Sequence, residues 1–363
     1  MIPVAAPVLG EKELEYVTDC VRSGWVSSLG EYVRRFEREF AAYCGVRHGV
    51  ATHNGTVALH LVLAALGIGP GDEVIVPTLT FVATGNAVTY TGATPIFVDS
   101  VPATWNIDPL AAARAVTPRT RALIAVHLYG HPADMDPLRS LAEEYRLSLI
   151  EDAAEAHGAR YKGRRAGSLG DVAVFSFYGN KIITTGEGGM VVTDDAALVE
   201  RCYFLENQAK ASENPYWHTE IGYNYRMTNM QAALGVAQLE RIDEFVAARV
   251  HNAQHYNERL AGLPGITRPP SAAWADNVYW MYTVLVEDDY GLERDVLMAR
   301  LRERGIETRP VFYPLHRLPM YDQGLRLPVA EEIACRGINL PSGSALTPAE
   351  VDCVCDALHE LRG

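Results

Sequence analysis

The sequence predicts an α/β protein, with a large domain on a mainly parallel sheet followed by a smaller C-terminal α/β domain. Three observations carry that prediction. Between about residues 50 and 200, short runs rich in Val and Ile alternate with amphipathic stretches, the rhythm of strand–helix–strand crossovers. At 363 residues the chain is longer than one small core needs. A helical pattern over 230–263 then runs into the breaker GLPGITRPP. The expected division is a large domain over 1–245, including the N-terminal segment, and a small one over 246–363.

In chain order, DEVIVPTLTF (72–81), ATPIFVDS (93–100), TRALIAVHLYG (120–130), LSLIEDAAE (147–155) and DVAVFSFYG (171–179) read as buried strands. ATGNAVTYTG and MDPLRSLAEEYR read as helices between them. Ligands of such sheets bind at the carboxyl ends of the strands, so function is sought just after each apolar run. Residues 230–263 read as one long helix bridging the domains. VYWMYTVLVED (278–288), LMARLRERGIETR (297–309) and a helix from Pro348 supply the smaller unit.

Hydrophobic residues make up 48% of the chain and charged residues 21%, an ordinary globular balance. A formal net charge of −13 argues against a nucleic-acid partner. It leaves room for a locally positive pocket and a phosphorylated ligand. The six cysteines are mostly scattered, and Cys353 and Cys355 lie in a helical tail rather than in paired zinc knuckles. Reduced thiols and a cytoplasmic protein are the expectation. MIPVAAPVLGEKE lacks a secretory pattern, and VALHLVLAALGI (57–68) is too short to span a bilayer.

The most informative stretch is SFYGNKIITTGEGG (176–189). Its Lys181 stands in a loop that reads as flexible and polar. Partial desolvation there disfavours the ammonium form and frees an amine to attack a carbonyl. Asn54-Gly55-Thr56 opens an apolar helix, where free N–H groups suit a phosphate, although taken alone the triplet is an ordinary helix cap. Glu151 and Asp152 end the strand LSLIEDAAE, placed either for a ligand or to cap the next helix. Phe81 ends VIVPTLTF, as a ligand-facing ring or as plain core.

Together these stretches resemble a known family. NGTVALHLVL, IVPTLTFVAT, HLYGHPADMD, IEDAAEAHGA, SFYGNKIITTGEGGM and YNYRMTNMQAALG are similar to the DegT/DnrJ/EryC1/StrS nucleotide-sugar aminotransferases, from about residue 2 to the C-terminus. The resemblance implies the aspartate-aminotransferase fold (fold type I) and the cofactor pyridoxal 5′-phosphate, alternating with pyridoxamine 5′-phosphate. By the same resemblance, Lys181 joins the cofactor covalently and later carries the proton. Asp152 pairs with the pyridine nitrogen, Phe81 stacks on the ring, and Gly55, Thr56 and Ser176 bind the phosphate. Asn224 reaches the neighbouring subunit's cofactor, so a homodimer with shared sites is expected.

Position 155 is a departure: many members carry Gln against the cofactor's phenolic oxygen, and this chain carries Glu155. A Glu there has to be protonated or otherwise accommodated. The perosamine-forming branch shares it, and YWHTEIGYNYRMTN is similar to that branch as well. The implied reaction moves the amino group of L-glutamate to a nucleotide-linked keto-sugar, GDP-4-keto-6-deoxymannose first and a dTDP-linked 4-keto or 3-keto hexose second. A sugar dehydratase and a non-enzymatic regulator are the competing readings, and Lys181 weighs against both.

His127, His131 and His157 stand near Asp134 and Asp136 in sequence, but their spacing fits no compact ligand set, so no metal is expected. His157 reads as a neighbour of the cofactor or as core. ETRPVFYPLHRLP (307–319) matches a substrate-side loop of the family, with Arg309, Tyr313 and His316 as candidates. Three prolines in that loop make scaffolding an equal reading.

Overall fold

The computed structural model describes residues 1–211, 214 and 216–362. The large unit begins its sheet with β1 (His48–Thr52), β2 (Glu73–Pro77), β3 (Thr94–Val98), β4 (Thr120–Val126) and β5 (Ser148–Asp152). A hairpin of β6 (Arg160–Tyr161) and β7 (Arg164–Arg165) leads into β8 (Val172–Ser176) and β9 (Gly189–Thr193). The seven-stranded order is β1-β9-β8-β5-β4-β2-β3. Neighbours from β3 across to β8 pair in parallel, and β9 runs against both β8 and β1.

All five expected strands form. β1 and β9 escape the sequence reading because HGVAT and GMVVT each offer only two or three apolar residues beside glycine. β2 and β9 are buried along their whole length, because helices cover both faces of the sheet. On one face Leu59, Leu61 and Val88 pack with Val74, Ile124 and Ile150. On the other, Leu138 and Leu141 pack with Ile75, Leu123 and Leu149.

In the C-terminal unit β10 (Ile266–Thr267) comes first, and β11 (Ala275–Asp276) returns to pair with β6. β12 (Tyr282–Val286), β13 (Arg309–Pro310) and β14 (Gly337–Leu340) follow. The order β10-β12-β14-β13 is antiparallel throughout. The helices Arg294–Glu303 and Pro348–Leu361 cover it, burying Leu297, Leu301, Val354 and Leu358 with Val284 and Ile338.

The pattern over 230–263 forms two helices, Asn229–Leu239 and Ile242–Arg259, rather than one. The chain leaves helical geometry at Arg241 (φ −118°, ψ 8°). There the Glu240 carboxylate accepts from Tyr16 (2.9 Å) and Arg35 (2.8 Å). No glycine or proline marks the bend, so the periodicity reads straight through it. Residue 245 lies inside the second helix. The first residues pair with the C-terminal unit: Ile2 N–H donates to Gly305 O (2.7 Å) and Ser342 N–H to Val4 O (2.7 Å). Among the described residues no helix is long and apolar enough to cross a membrane.

Candidate active site

A cavity of about 540 Å³ opens at the carboxyl ends of the parallel strands, beneath residues of the C-terminal unit. The fold brings Gly55, Thr56, Phe81, Asp152, Glu155, Ser176, Lys181 and Arg309 to its wall. Asp152 ends β5 and Ser176 ends β8, and Phe81 follows β2 by four residues. Strand-end logic therefore locates the site.

One end of the cavity is the start of the helix Gly55–Ala65. Asn54 caps it, its side chain accepting from Val57 N–H at 3.0 Å, and the first N–H groups of any helix lack intrahelical partners. A Cβ on Gly55 would stand 2.8 Å from Ser176 Cβ. Only glycine lets the helix start come up against the end of β8, leaving a small concave donor site with the positive end of the helix dipole behind it.

Asp152 is buried at the cavity floor. Burial raises its pKa, opposed by the Thr84 hydroxyl (2.8 Å), the Ala154 N–H (3.3 Å) and Lys181. Glu155 is also buried, and burial pushes its carboxyl up against the pull of Lys181 and of the Tyr129 N–H, which donates at 2.7 Å. A raised Glu155 holds its proton more readily, which is the condition the sequence resemblance set for a Glu at this position. Lys181 is lowered by burial, with Glu155 and Asp152 working the other way. The cavity thus holds an amine with two carboxyls around it.

The loop that carries Lys181 is largely buried in the fold, contrary to the sequence reading of it as too flexible and polar for core. Ile182, Ile183, Thr184 and Thr185 are buried. Thr184 Oγ1 and Thr185 N–H both donate to Phe177 O, at 2.9 Å each. Phe81, 53% exposed, is not core; its ring faces Phe312 at 5.7 Å across the cavity mouth. Tyr129, Trp280 and Phe312 complete an aromatic wall that sequence reasoning missed. Tyr129 sits in the left-handed region (φ 54°), a costly conformation for a bulky residue, and nothing in HLYGHP announces it.

Glu151 belongs elsewhere, since adjacent strand residues face opposite sides of the sheet. It is fully buried and accepts from the N–H groups of Gly167 (2.9 Å), Leu169 (2.7 Å) and Gly170 (2.7 Å). His127 Nδ1 accepts from Ala133 N–H (3.0 Å), so Nε2 carries the proton and donates to Glu151 at 2.9 Å. Burial works to raise the Glu151 pKa, but His127 and the N–H donors outweigh it and hold the carboxyl below its usual range. Its stabilising effect is therefore full above the ordinary carboxylate range and is lost as pH falls through the lowered native value. Glu151→Ala leaves four donors without an acceptor. It should cost about 4 kcal/mol, at roughly 1 kcal/mol or more each, read as a lower urea midpoint; a loss under ~1 kcal/mol contradicts this.

Other candidates lie outside the cavity. His316 is fully buried, bonded through Nδ1 to Thr78 Oγ1 (2.7 Å) and through Nε2 to Glu331 (2.9 Å), so it fastens its loop to the end of β2. Tyr313 is 62% exposed and does not line the cavity. Asn224 is exposed and outside its own chain's cavity, its backbone bridging to Asn207. His157 packs among Phe40, Phe175 and Phe177, and burial takes its pKa down to about 3. Among the described residues no group of three or more His, Cys, Asp or Glu is placed to hold a metal ion.

An amine between carboxyls, an anion cradle and an aromatic wall at strand ends also match what comparison with known proteins returns. The profile of the DegT/DnrJ/EryC1/StrS aminotransferase family matches residues 7–359. The chain belongs to that family. It is 49% identical over 363 residues to the GDP-perosamine synthase of Caulobacter vibrioides, covering 99% of this chain and 98% of that one. It is 48% identical over 361 residues to the GDP-perosamine synthase of Escherichia coli O157:H7, with the same coverage. Among solved structures, DesV of S. venezuelae superposes with a TM-score of 0.90 at 44% identity, over 96% of this chain and 93% of that one. This aminotransferase therefore has the fold type that the sequence resemblance implied.

Proposed function

We propose that this aminotransferase uses pyridoxal 5′-phosphate to move the amino group of L-glutamate onto GDP-4-keto-6-deoxymannose, giving GDP-perosamine. The similarity at 48–49% identity to two GDP-perosamine synthases, over nearly the whole of each chain, carries the choice of substrate. The residues present fit the cofactor. The glycine-dependent cradle at Gly55, Thr56 and Ser176 suits its phosphate, Phe81 its ring face, Asp152 its ring nitrogen, Glu155 its phenolic oxygen and Lys181 its aldehyde.

Bound there, pyridoxal phosphate would supply an electron sink for the charge left on the amino acid's α-carbon as its proton departs. The chain's own groups do the rest. Lys181 Nζ, its pKa lowered by burial, takes that proton and later returns one. The Asp152 carboxylate keeps a proton on the ring nitrogen. The aromatic wall excludes water from the reacting atoms. Amino donor and keto-sugar use the same cavity in turn, so the kinetics are ping-pong.

A homodimer with shared sites completes the reading, with Asn224 reaching the second chain's cavity. Large apolar side chains at Trp25, Leu29, Trp217 and Ile221, all more than half exposed, support it as surface a second copy would cover. The test is a panel of GDP- and dTDP-linked 4-keto and 3-keto sugars incubated with the enzyme and L-glutamate, following 2-oxoglutarate. Release with GDP-4-keto-6-deoxymannose far above the dTDP sugars is expected. Preference for a dTDP sugar overturns the substrate, and deoxygenation without amine transfer overturns the reaction.

A further inference from the structure

The C-terminal unit sets an indole against the reacting amine. Trp280, two residues ahead of β12, has its ring centroid 3.7 Å from Lys181 Nζ. Its Nε1–H donates to the carbonyl of Asn180 at 2.8 Å, the residue before Lys181. One side chain therefore holds both the amine and the backbone that delivers it. The indole stacks on Tyr129 (6.1 Å between centroids, 26° between planes), whose N–H is bonded to Glu155. Trp280 is itself held by Arg249, a buried guanidinium on the helix Ile242–Arg259. Arg249 donates to the carbonyls of Trp280 (2.8 Å) and Ser342 (2.9 Å) and to the Ser344 hydroxyl (3.1 Å).

Two kinds of group act on Lys181. Asp152 and Glu155 favour its charged form as carboxyls, while burial works against that charge. Arg249 shares a small cleft with Lys181 on the side away from the cavity, and the His157 ring feels the charge of both. A cation over an indole face is attracted without a fixed acceptor atom. The amine is then steadied yet remains free to swing, which a carboxylate partner at hydrogen-bond distance would hinder.

We propose that Trp280 is the positioning residue for Lys181, steadying the free amine over its ring and fixing its direction through Asn180. The proposal rests on Lys181 being the reacting amine, but its test reads that amine directly, so it can fail while the assigned reaction stands. In the full chain freed of cofactor by dialysis against hydroxylamine, acetylation of Lys181 by acetic anhydride is followed by peptide mass spectrometry across pH. The ring favours the ammonium form, so its removal lowers the pKa. Trp280→Leu should move the labelling midpoint down by about one unit. Trp280→Phe keeps a ring but loses the bond to Asn180. Its midpoint should stay near that of the natural chain while the plateau rate at high pH rises several-fold. Both should lower kcat more than they change KM for the keto-sugar. A folded Trp280→Leu chain with an unchanged midpoint overturns the proposal. If that chain does not fold, Trp280→Phe decides: an unchanged plateau rate means the indole N–H directs nothing, and the proposal falls.

Discussion

Replacing Lys181 with alanine is expected to abolish transamination, leaving less than about a thousandth of the natural rate, because on the proposed reading the covalent attachment and the proton carrier are lost together. The fold should survive. The loop is held by buried Ile182 and Ile183 and by the bonds of Thr184 and Thr185 to Phe177 O, none of which involves Nζ. The loss has an electrostatic consequence too. Lys181 lowers the pKa of both Asp152 and Glu155 against burial, so without it both carboxyls take up protons at higher pH. With Asp152 in its proposed role, a weaker hold on the ring nitrogen follows, and added alkylamines should restore only a small part of the rate. The checks are 2-oxoglutarate release from glutamate and circular dichroism. Robust turnover by a folded Lys181→Ala chain would remove Lys181 from the chemistry.

The cavity was legible where function follows strand ends. Asp152, Ser176 and Phe81 could be placed from the apolar runs that precede them, and Gly55 and Thr56 from a polar triplet opening an apolar helix. The neighbouring Glu151 was legible in principle, since alternation along a strand sends it to the other side of the sheet. What couples it to Asp152 in the sequence is that both end the same run. Trp280 and Phe312 could not be read this way. They come from the C-terminal unit, more than a hundred residues beyond Ser176, and only tertiary packing brings their rings to the cavity. The strained backbone of Tyr129 (φ 54°) has no local signature either. His316 sat in a loop whose prolines allowed scaffolding, and its bonds to Thr78 and Glu331 give it that role. The bend at Glu240–Arg241 is fixed by contacts to Tyr16 and Arg35 far away in sequence, so helical periodicity alone had no means of finding it.

Mixing a Lys181→Ala chain with an Asn224→Ala chain should return activity that neither has alone. The segment bearing Asn224 runs beside the cradle end of its own cavity: Tyr225 O accepts from His53 N–H at 2.7 Å, one residue before Asn54. Asn224 itself is exposed and is not part of that cavity's wall, as a residue meant for a second chain has to be. If each site takes its lysine from one chain and its Asn224 from the other, a mixed dimer has one site with both lesions and one with neither. Random exchange makes about half the dimers mixed, so about a quarter of natural activity should appear, rising with subunit concentration as mass action requires. Native mass measurement confirms the exchange independently of activity. Mixed dimers without recovered turnover would mean that Asn224 serves its own chain or no site at all. Sharing would then have to rest on some other residue, while the Lys181 chemistry, which needs only one chain's cavity wall, would be untouched.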